Sequence, residues 1–430
     1  MTERKKQSIV DILKGNVGVL IWTRFILFFP QNMYNQYFPL LVQEFGGSPQ
    51  DIGFVQSMSS LAALIIVPIA GYLADFYSRV KLIASSFYLR SISFVIFFLS
   101  KTPASLAIGK FYDGLTEYNH AAQAAILADS LSPERRGTGF AMFNTFPNIV
   151  TNIAPIVGAF LITEFGVESG MKYIFIAAFV SMFIVGGSRQ KFLKDTINKD
   201  TLDLKPAREG IPALVKKAYK SSIEALKWTP KNLRIFILIE GLASFTGGMV
   251  GPFWIIYAKE IIKLSVTDWA LILSIEGVLV LILSVPAGMI VDKIESRKTI
   301  LAMLSISLLP TVLFIYCKTF FETLAVMLAT TVISSFMSPA CMKWLANTVP
   351  RRLRARITSA YGRGGIGVRG GAGGAGGGYI IMIPALTGSM IGGFIYSINP
   401  VYPWLIQGGS LFTCLVLSAL FLREPETAEL

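Results

Sequence analysis

Apolar residues in this chain come in long runs, which short polar segments separate. A helix rises ~1.5 Å per residue, so about 20 apolar residues cross the ~30 Å hydrocarbon core of a bilayer. Lipid offers the backbone no hydrogen-bond partner, and a helix satisfies its own N–H and C=O groups. The pattern therefore predicts an all-α membrane protein with twelve transmembrane helices, at residues 17–44, 51–74, 80–100, 104–128, 138–163, 170–188, 233–258, 267–291, 298–317, 321–346, 379–396 and 401–422.

The charged residues between these spans fall into two sets that alternate along the chain. One set is basic: Arg79 and Lys81, Arg135 and Arg136, Lys293, Arg297 and Lys298, then Arg351, Arg352, Arg354 and Arg356. The other set is sparse or acidic: Glu44 and Asp51, Glu164 and Glu168, then Glu322. Because basic loops stay on the cytoplasmic side, we expect a multi-pass protein of the cell membrane with both termini cytoplasmic.

Composition is consistent with a protein that lies in the lipid bilayer. Hydrophobic residues make up 53% of the 430 and charged residues only 15%, and the mean hydropathy is +0.59. The basic loops account for the net charge of +13, so we predict no nucleic-acid partner. Residues 1–15 lack a signal peptide's apolar stretch and cleavage site, which favours a cytoplasmic lead-in to the first span. Cys317, Cys341 and Cys414 stand singly in apolar segments, which predicts free thiols.

One long hydrophilic segment divides the chain. Residues 189–231 hold 11 Lys and Arg and 5 Asp and Glu, and residues 214–228 have the pattern of an amphipathic helix on the inner membrane surface. We interpret 189–231 as a cytoplasmic linker. It joins an N-terminal half of six helices, residues 1–188, to a C-terminal half of six helices, residues 232–430.

An internal repeat relates the two halves. Gly71 and Asp75, which Arg79 follows, recur 217 residues later as Gly288 and Asp292, which Arg297 follows. A second pair, residues 128–137 and 346–355, has nearly the same offset. Two matches at one offset indicate a parallel duplication about an axis along the membrane normal.

These residues resemble the major facilitator superfamily, whose signature loop between its second and third helices has this Gly, Asp and Arg pattern. Ser78 and Ser296 stand where that family usually has a second glycine. Lys110 and Gly114 look like its R-x-x-x-G element, with Lys in place of Arg. Pro155 and Gly158 look like a degraded form of an element that its exporters carry on the fifth helix. The resemblance covers the whole chain and implies cytoplasmic gate motifs at Gly71, Asp75, Arg79, Gly288, Asp292 and Arg297.

Ionisable residues inside spans are costly and therefore become candidates for function. Span 1 carries Arg24, with Gln31 and Asn35 on a similar face, and spans 7 and 8 carry Glu240 and Glu276. In span 4, Lys110, Asp113 and Glu117 lie at helical spacing on one stripe. The family resemblance implies that helices 1, 4, 7 and 10 line a central cavity, where these residues would bind substrate and couple transport to protons.

A structural interpretation of the same residues stays open. Lys110 with Asp113, and Arg24 with Glu117, could be buried pairs that hold helices together. The repeat maps Asp113 and Glu117 onto Thr330 and Ser334, so any proton chemistry belongs mainly to the first half.

The remaining motifs argue against other classes. Residues 362–378 hold 11 glycines, which we interpret as an insertion before span 11, with a broken helix along the pathway as the alternative. The GxGxxG pattern within them has no preceding strand and no acidic residue about 20 positions later, so a dinucleotide site is not predicted. The sequence has no GxxxxGK[ST], HExxH or Cys/His cluster, so we predict no enzyme activity, cofactor or metal.

The sequence thus predicts a secondary transporter that works by alternating access, with proton-coupled export of small amphipathic compounds as the preferred function. Uptake of a sugar, peptide or organic anion is the alternative within this class. A membrane sensor or channel without carrier activity is the alternative outside it. The expected partners are a small-molecule substrate, protons and the bilayer, and we expect a monomer.

Overall fold

A computed structural model describes residues 15–131, 139, 142–143, 146–147, 149, 152–196, 229–349, 366 and 378–424. Its helices are α1 Gly15–Tyr34, α2 Phe38–Glu44, α3 Pro49–Phe76, α4 Arg79–Leu99, α5 Pro103–Leu115, α6 Asn119–Asp129, α7 Ala154–Phe192, α8 Lys231–Val250, α9 Trp254–Glu260, α10 Val266–Lys293, α11 Ser296–Leu313, α12 Phe320–Thr348, α13 Tyr379–Ile398 and α14 Tyr402–Phe421. Short 3-10 turns follow α8 at Gly251–Phe253 and α11 at Phe314–Tyr316. The predicted linker helix, and all of the glycine tract except residues 366 and 378, lie outside the described residues.

Twelve spans account for these helices. Nine segments of the described chain are long and apolar enough to cross a membrane. One of these, α7, contains the last part of predicted span 5, from Ala154 onward, and the whole of span 6. The chain turns between them at Gly166, whose φ of +79° favours glycine. Gly170 then packs against the backbone of Ile162, where a Cβ would lie 2.8 Å from the Ile162 Cα atom. The predicted loop between spans 5 and 6 is therefore shorter than expected, and span 6 continues to Phe192.

Three spans that the hydropathy pattern predicts as continuous are interrupted. Span 1 breaks between Tyr34 and Phe38, span 4 between Leu115 and Asn119, and span 7 at the turn Gly251–Phe253. The average hydropathy of a run does not register these breaks, although polar residues stand at the first two and Gly251 and Pro252 at the third.

The helix caps of the two halves recur at the same offset as the sequence repeat. Ser48 and Asp51 form a capping box at the start of α3, and Ser265 and Asp268 form one at the start of α10. Thr102 caps α5 in the same way, and Thr319 caps α12. Each pair is separated by the 217 residues that separate Gly71 from Gly288. Equivalent spans of the two halves thus begin with the same hydrogen-bonded cap.

The two halves contact each other at one face of the molecule and along the adjoining parts of the spans, as in the hydrogen bond of 2.9 Å from Ser274 Oγ to the Asn152 carbonyl. We call the face that carries Asn16 and Arg423 the terminal face, and the opposite face, which carries Gln43 and Glu260, the distal face. At the distal face Gln43 Nε2 donates to Glu260 Oε1 at 2.7 Å, and Gln50 Nε2 donates to Ser397 Oγ at 2.8 Å. One hydrophobic cluster also runs from α1–α7 into α9 and the start of α10. The structure is therefore closed at the distal face.

Small residues make this closure tight. Gly53 of α3 lies against the backbone of Ser389 in α13, and the Ser389 hydroxyl donates to the Gly53 carbonyl at 3.1 Å. Gly393 of α13 lies against Pro49, where a Cβ would approach the Pro49 carbonyl oxygen to 2.5 Å. Any larger side chain at these glycines would force the two halves apart.

Candidate functional site

The main charged cluster lies between α4 and α5 in the first half. Arg90 Nε lies 2.8 Å from Asp113 Oδ1, and Arg90 Nη2 lies 3.1 Å from Asp113 Oδ2. Ser93 Oγ adds a hydrogen bond of 3.1 Å to Asp113 Oδ1. Both charged side chains are buried, with 6% and 7% of their surface exposed. This bidentate pair fixes α4 to α5, because a buried charge is tolerated only when it is paired and hydrogen-bonded.

Glu117 is held more loosely than Asp113. Its Oε1 lies 3.7 Å from Arg90 Nη2, beyond hydrogen-bond distance, and 14% of its side chain is exposed. The Arg90 guanidinium thus faces two carboxylates, one fully bonded and one at longer range. Of the two, Glu117 can exchange a proton with less disruption of the structure.

The break in span 4 positions Glu117. The Thr116 and Glu117 N–H groups donate to the Asp113 and Gly114 carbonyls at 3.1 and 3.2 Å, as a tight turn rather than a helix. Ser86 of α4 donates to the Thr116 carbonyl at 2.7 Å and accepts from Asn119 Nδ2 at 2.6 Å. Ser86 thus takes the place of a backbone donor at the Thr116 carbonyl, and Asn119 holds Ser86 there, so the two residues stabilise the interruption beside Glu117.

Lys110 lies on the distal side of this cluster. Its Nζ is 4.0 Å from the centroid of the Phe38 ring and 5.9 Å from that of Tyr34. The two rings flank the break in span 1, so a broken α1–α2 faces the broken α5–α6. The rings stabilise the buried ammonium by cation–π contact.

The buried pairs considered from the sequence are therefore not those that form. Asp113 and Glu117 both face Arg90 rather than Lys110 and Arg24. Arg24 instead donates from Nη1 to the Phe143 carbonyl at 2.9 Å, and its guanidinium carbon lies 3.9 Å from the Phe143 ring centroid. Gln31 and Asn35 are half-buried on the same helix and the turn that follows it, and Gln31 Oε1 accepts no hydrogen bond from the described residues.

The second half places different groups at equivalent positions. Arg90 corresponds to Ser307, and Thr330 and Ser334 bond only to their own helix, at the Met327 and Thr330 carbonyls. The two carboxylates of this half lie elsewhere. Glu276 of α10 is buried and accepts from Thr331 Oγ1 at 2.7 Å, and Glu240 is buried on α8. The charged cluster therefore belongs to the first half alone among the described residues.

The arginines of the predicted gate motifs form hydrogen bonds at the terminal face, and none of their described partners lies in the opposite half. Arg79 contacts Asp129, Thr196 and the Ala74 carbonyl. Arg297 donates to the Leu422 and Ala419 carbonyls at the end of α14, at 2.6 and 2.7 Å. Asp292 is exposed and Gly288 has open space around it, whereas the surroundings of Gly71 and Asp75 lie outside what the structure describes.

The predicted exporter-like element lies at the start of α7. The Pro155 carbonyl accepts from the Tyr37 hydroxyl at 2.7 Å. Gly158 packs on the backbone of Met33, where a Cβ would approach the carbonyl oxygen to 2.5 Å. These residues bring span 5 against the break in span 1, which is a packing role.

Two buried arginines lie outside the set of candidates that the sequence indicates. Arg90 lies in the middle of predicted span 3, and the rule that singled out Asp113 would also have found it. Arg189 was assigned to the linker because the apolar run ends before it, but α7 continues to Phe192 and buries it completely.

Interrupted helices around buried charges, in two halves related by a repeat, define a membrane carrier of the two-half type. The sequence profile of the Major Facilitator Superfamily matches residues 20–221 and 236–430. The chain belongs to this family, and its fold of twelve transmembrane helices in two six-helix halves is the family's fold.

Proteins with similar sequences include a tetracycline resistance protein and an uncharacterized transporter. The tetracycline resistance protein, class H, of Pasteurella multocida is 20% identical over 397 residues, 90% of this chain and 92% of that protein. An uncharacterized MFS-type transporter of Bacillus subtilis, YhjO, is 25% identical over 209 residues, 49% of this chain and 47% of that protein.

The nucleoside transporter NupG has a TM-score of 0.68 at 14% identity, covering 95% of this chain and 98% of its own. The human organic anion transporter MFSD10 has a TM-score of 0.62 at 14% identity, covering 94% and 98%. These likenesses support the fold, and the chain is a transporter by family.

Proposed function

We propose that this protein is a proton-coupled exporter of small amphipathic compounds, with Glu117 as the group that loads and releases the proton. The observation that carries the proposal is the unequal pairing of Asp113 and Glu117 with Arg90. Asp113 accepts three hydrogen bonds, whereas Glu117 has one long-range partner and partial exposure.

The position of Glu117 links its charge to helix geometry. It lies in the turn that interrupts span 4, and that turn depends on Ser86 and Asn119. Protonation of Glu117 removes its attraction to Arg90 and leaves the Arg90–Asp113 pair intact. Since the ion pairs within the cluster bias the packing of α4 against α5 and α6, the charge of Glu117 favours one arrangement of the first half over another.

Export is preferred to uptake because of a sequence similarity. The similarity to a tetracycline resistance protein extends over 90% of this chain. Uptake of an organic anion is the second candidate, because the half-buried Arg24 guanidinium supplies a cation on span 1. The closed distal face agrees with a carrier, which opens to one side of the membrane at a time.

Transport in proteoliposomes tests the proposal. A panel of amphipathic compounds that includes tetracycline is screened for uptake driven by a pH gradient, and for counterflow without a gradient. We expect Glu117→Gln to abolish gradient-driven transport and to keep counterflow, since the neutral side chain mimics one protonation state. Asp113→Asn also loses gradient-driven transport, because the released Arg90 then pairs fully with Glu117. Glu168→Gln, on the exposed distal surface, is the control and retains both activities.

The direction of substrate accumulation relative to the proton flux distinguishes export from uptake. Accumulation of substrate against an opposing proton flux indicates export by antiport, whereas accumulation along the proton flux indicates uptake by symport. Full gradient-driven transport by the double variant Glu117→Gln/Asp113→Asn would refute proton coupling at this cluster. Flux without any counterflow would identify a channel.

A further inference from the structure

A cleft of about 330 Å³ opens at the terminal face, between α1 and the end of α7. Gly18 and Thr23 line its floor, and Trp22 and Phe192 form its sides. Trp22 is 63% exposed and Phe192 57% exposed, so the cleft opens on the outer surface of the helix bundle. An open tryptophan near a helix end is typical of the boundary between lipid headgroups and acyl chains.

A buried cation lies behind the floor of this cleft. Arg189 is 0% exposed, and its Nε donates to Thr23 Oγ1 at 2.9 Å. Its guanidinium carbon is 4.6 Å from the Phe87 ring centroid. Neither Nη1 nor Nη2 has a hydrogen-bond partner in the described part of the chain. A buried charge without a full set of partners favours an anion nearby, because the field is weakly screened in a low-dielectric interior.

The rim of the cleft carries a second cation. Lys191 is exposed, and its Nζ lies 5.5 Å from the centroid of the Phe192 ring that lines the cleft.

The cleft also has the depth of an acyl chain. It runs along α1 from Gly15 to Ile26, roughly 16 Å at the rise of a helix, which is about half the thickness of the hydrocarbon core.

We propose that this cleft binds one anionic phospholipid. The phosphate lies at the rim beside Lys191, and an acyl chain lies over Gly18 against Trp22. Arg189 attracts the headgroup from behind the floor without touching it. This site is separate from the Arg90–Asp113–Glu117 cluster and does not depend on the proposed transport activity.

Lipid binding to the purified full chain tests the site. The protein in neutral detergent is titrated with palmitoyl-oleoyl phosphatidylglycerol, with the phosphatidylcholine of the same chains, and with inorganic phosphate, and retained lipid is counted by native mass spectrometry. We expect one phosphatidylglycerol to bind more tightly than phosphatidylcholine, and inorganic phosphate to have no effect on thermal stability.

Two pairs of variants test whether phosphatidylglycerol binds in this cleft. Lys191→Glu should weaken phosphatidylglycerol binding by roughly tenfold or more, because each basic side chain near a membrane surface attracts anionic lipid several-fold. Its control, Lys101→Glu, reverses an exposed charge at the distal face and should change nothing. Ser188→Phe fills the cleft and should abolish the tight site, whereas Ser284→Phe makes the same change on the exposed surface of α10.

Arg189 is tested by the preference for anionic lipid. Arg189→Lys should keep the ratio of phosphatidylglycerol to phosphatidylcholine affinity, and Arg189→Gln should lower it. If Arg189→Gln fails to fold, the Lys191→Glu and Ser188→Phe variants still show whether the lipid binds in this cleft. Equal binding of the two lipids, unchanged affinity in both Lys191→Glu and Ser188→Phe, or equal stabilisation by inorganic phosphate would overturn the proposal.

Discussion

Removal of Arg90 should be among the most damaging single substitutions in the first half. The guanidinium makes hydrogen bonds of 2.8 and 3.1 Å to Asp113 and lies 3.7 Å from Glu117. Arg90→Gln leaves the buried Asp113 carboxylate without its bidentate partner and removes the arginine that faces the partly exposed Glu117. Breaking a buried ion pair from one side costs about 3–5 kcal/mol, because the remaining charge stays desolvated.

A double-mutant cycle separates this interaction from general damage. Arg90→Gln, Asp113→Asn and the double variant are unfolded by titration with SDS in mixed micelles, followed by circular dichroism. Asp113→Asn alone should cost less than Arg90→Gln, since Arg90 keeps Glu117 as a partner. The double variant should be more stable than the sum of the single losses predicts, with a coupling free energy above about 2 kcal/mol.

An exposed ion pair supplies the matched control. Lys172 and Glu168 are four residues apart on α7, with side chains 30% and 42% exposed. Lys172→Gln should cost less than about 0.5 kcal/mol, because solvent screens the pair. If Arg90→Gln costs no more than Lys172→Gln, or if the Arg90 and Asp113 losses are additive, then the buried pair does not hold α4 to α5.

Three further predictions concern packing and chemistry away from the cluster. Gly53→Ala should open the distal face, because its Cβ would meet the Ser389 backbone. The distance between spin labels at Glu44→Cys and Lys259→Cys should then lengthen. Gly288→Ala, which has open space around it, is the control and should leave this distance unchanged. Arg297→Gln should lower the free energy of unfolding by about 1–2 kcal/mol through loss of its bonds to the end of α14, whereas Lys298→Gln, 66% exposed, should change it little. All three cysteines are buried, and burial raises the pKa of the Cys317 thiol in the turn before α12. Maleimide at neutral pH should therefore label the native protein slowly and the SDS-unfolded protein fully. Rapid labelling of the native protein would contradict this packing.

The spans and the two halves could be predicted because each depends on local patterns. An apolar run of sufficient length predicts a span, and the recurrence of Gly71 and Asp75 as Gly288 and Asp292 predicts a duplication. The capping boxes at Ser48 and Ser265 carry the same offset and would have strengthened the repeat. These boxes lie in short polar segments, where a Ser followed three residues later by Asp is too common to indicate a repeat by itself.

The pairing within the site could not be predicted, because it depends on contacts between different helices. Asp113 and Glu117 lie on one stripe with Lys110, but only the packing of α4 brings Arg90 to both carboxylates. The break at Glu117 likewise depends on Ser86, which lies 31 residues away in the chain. Arg189 was missed for another reason, since a buried helix end need not be apolar when a hydroxyl such as Thr23 accepts from it.

The response of the distal face to pH tests the central claim most directly. Spin labels at Glu44→Cys and Lys259→Cys report the separation of α2 and α9 in nanodiscs, in the native background and with Glu117→Gln. If the charge of Glu117 selects between two arrangements, the distance distribution of the native protein shifts between high and low pH. The Glu117→Gln variant then shows the low-pH distribution at every pH. A native distribution that is independent of pH, or a Glu117→Gln variant that still shifts as the native protein does, would contradict the account.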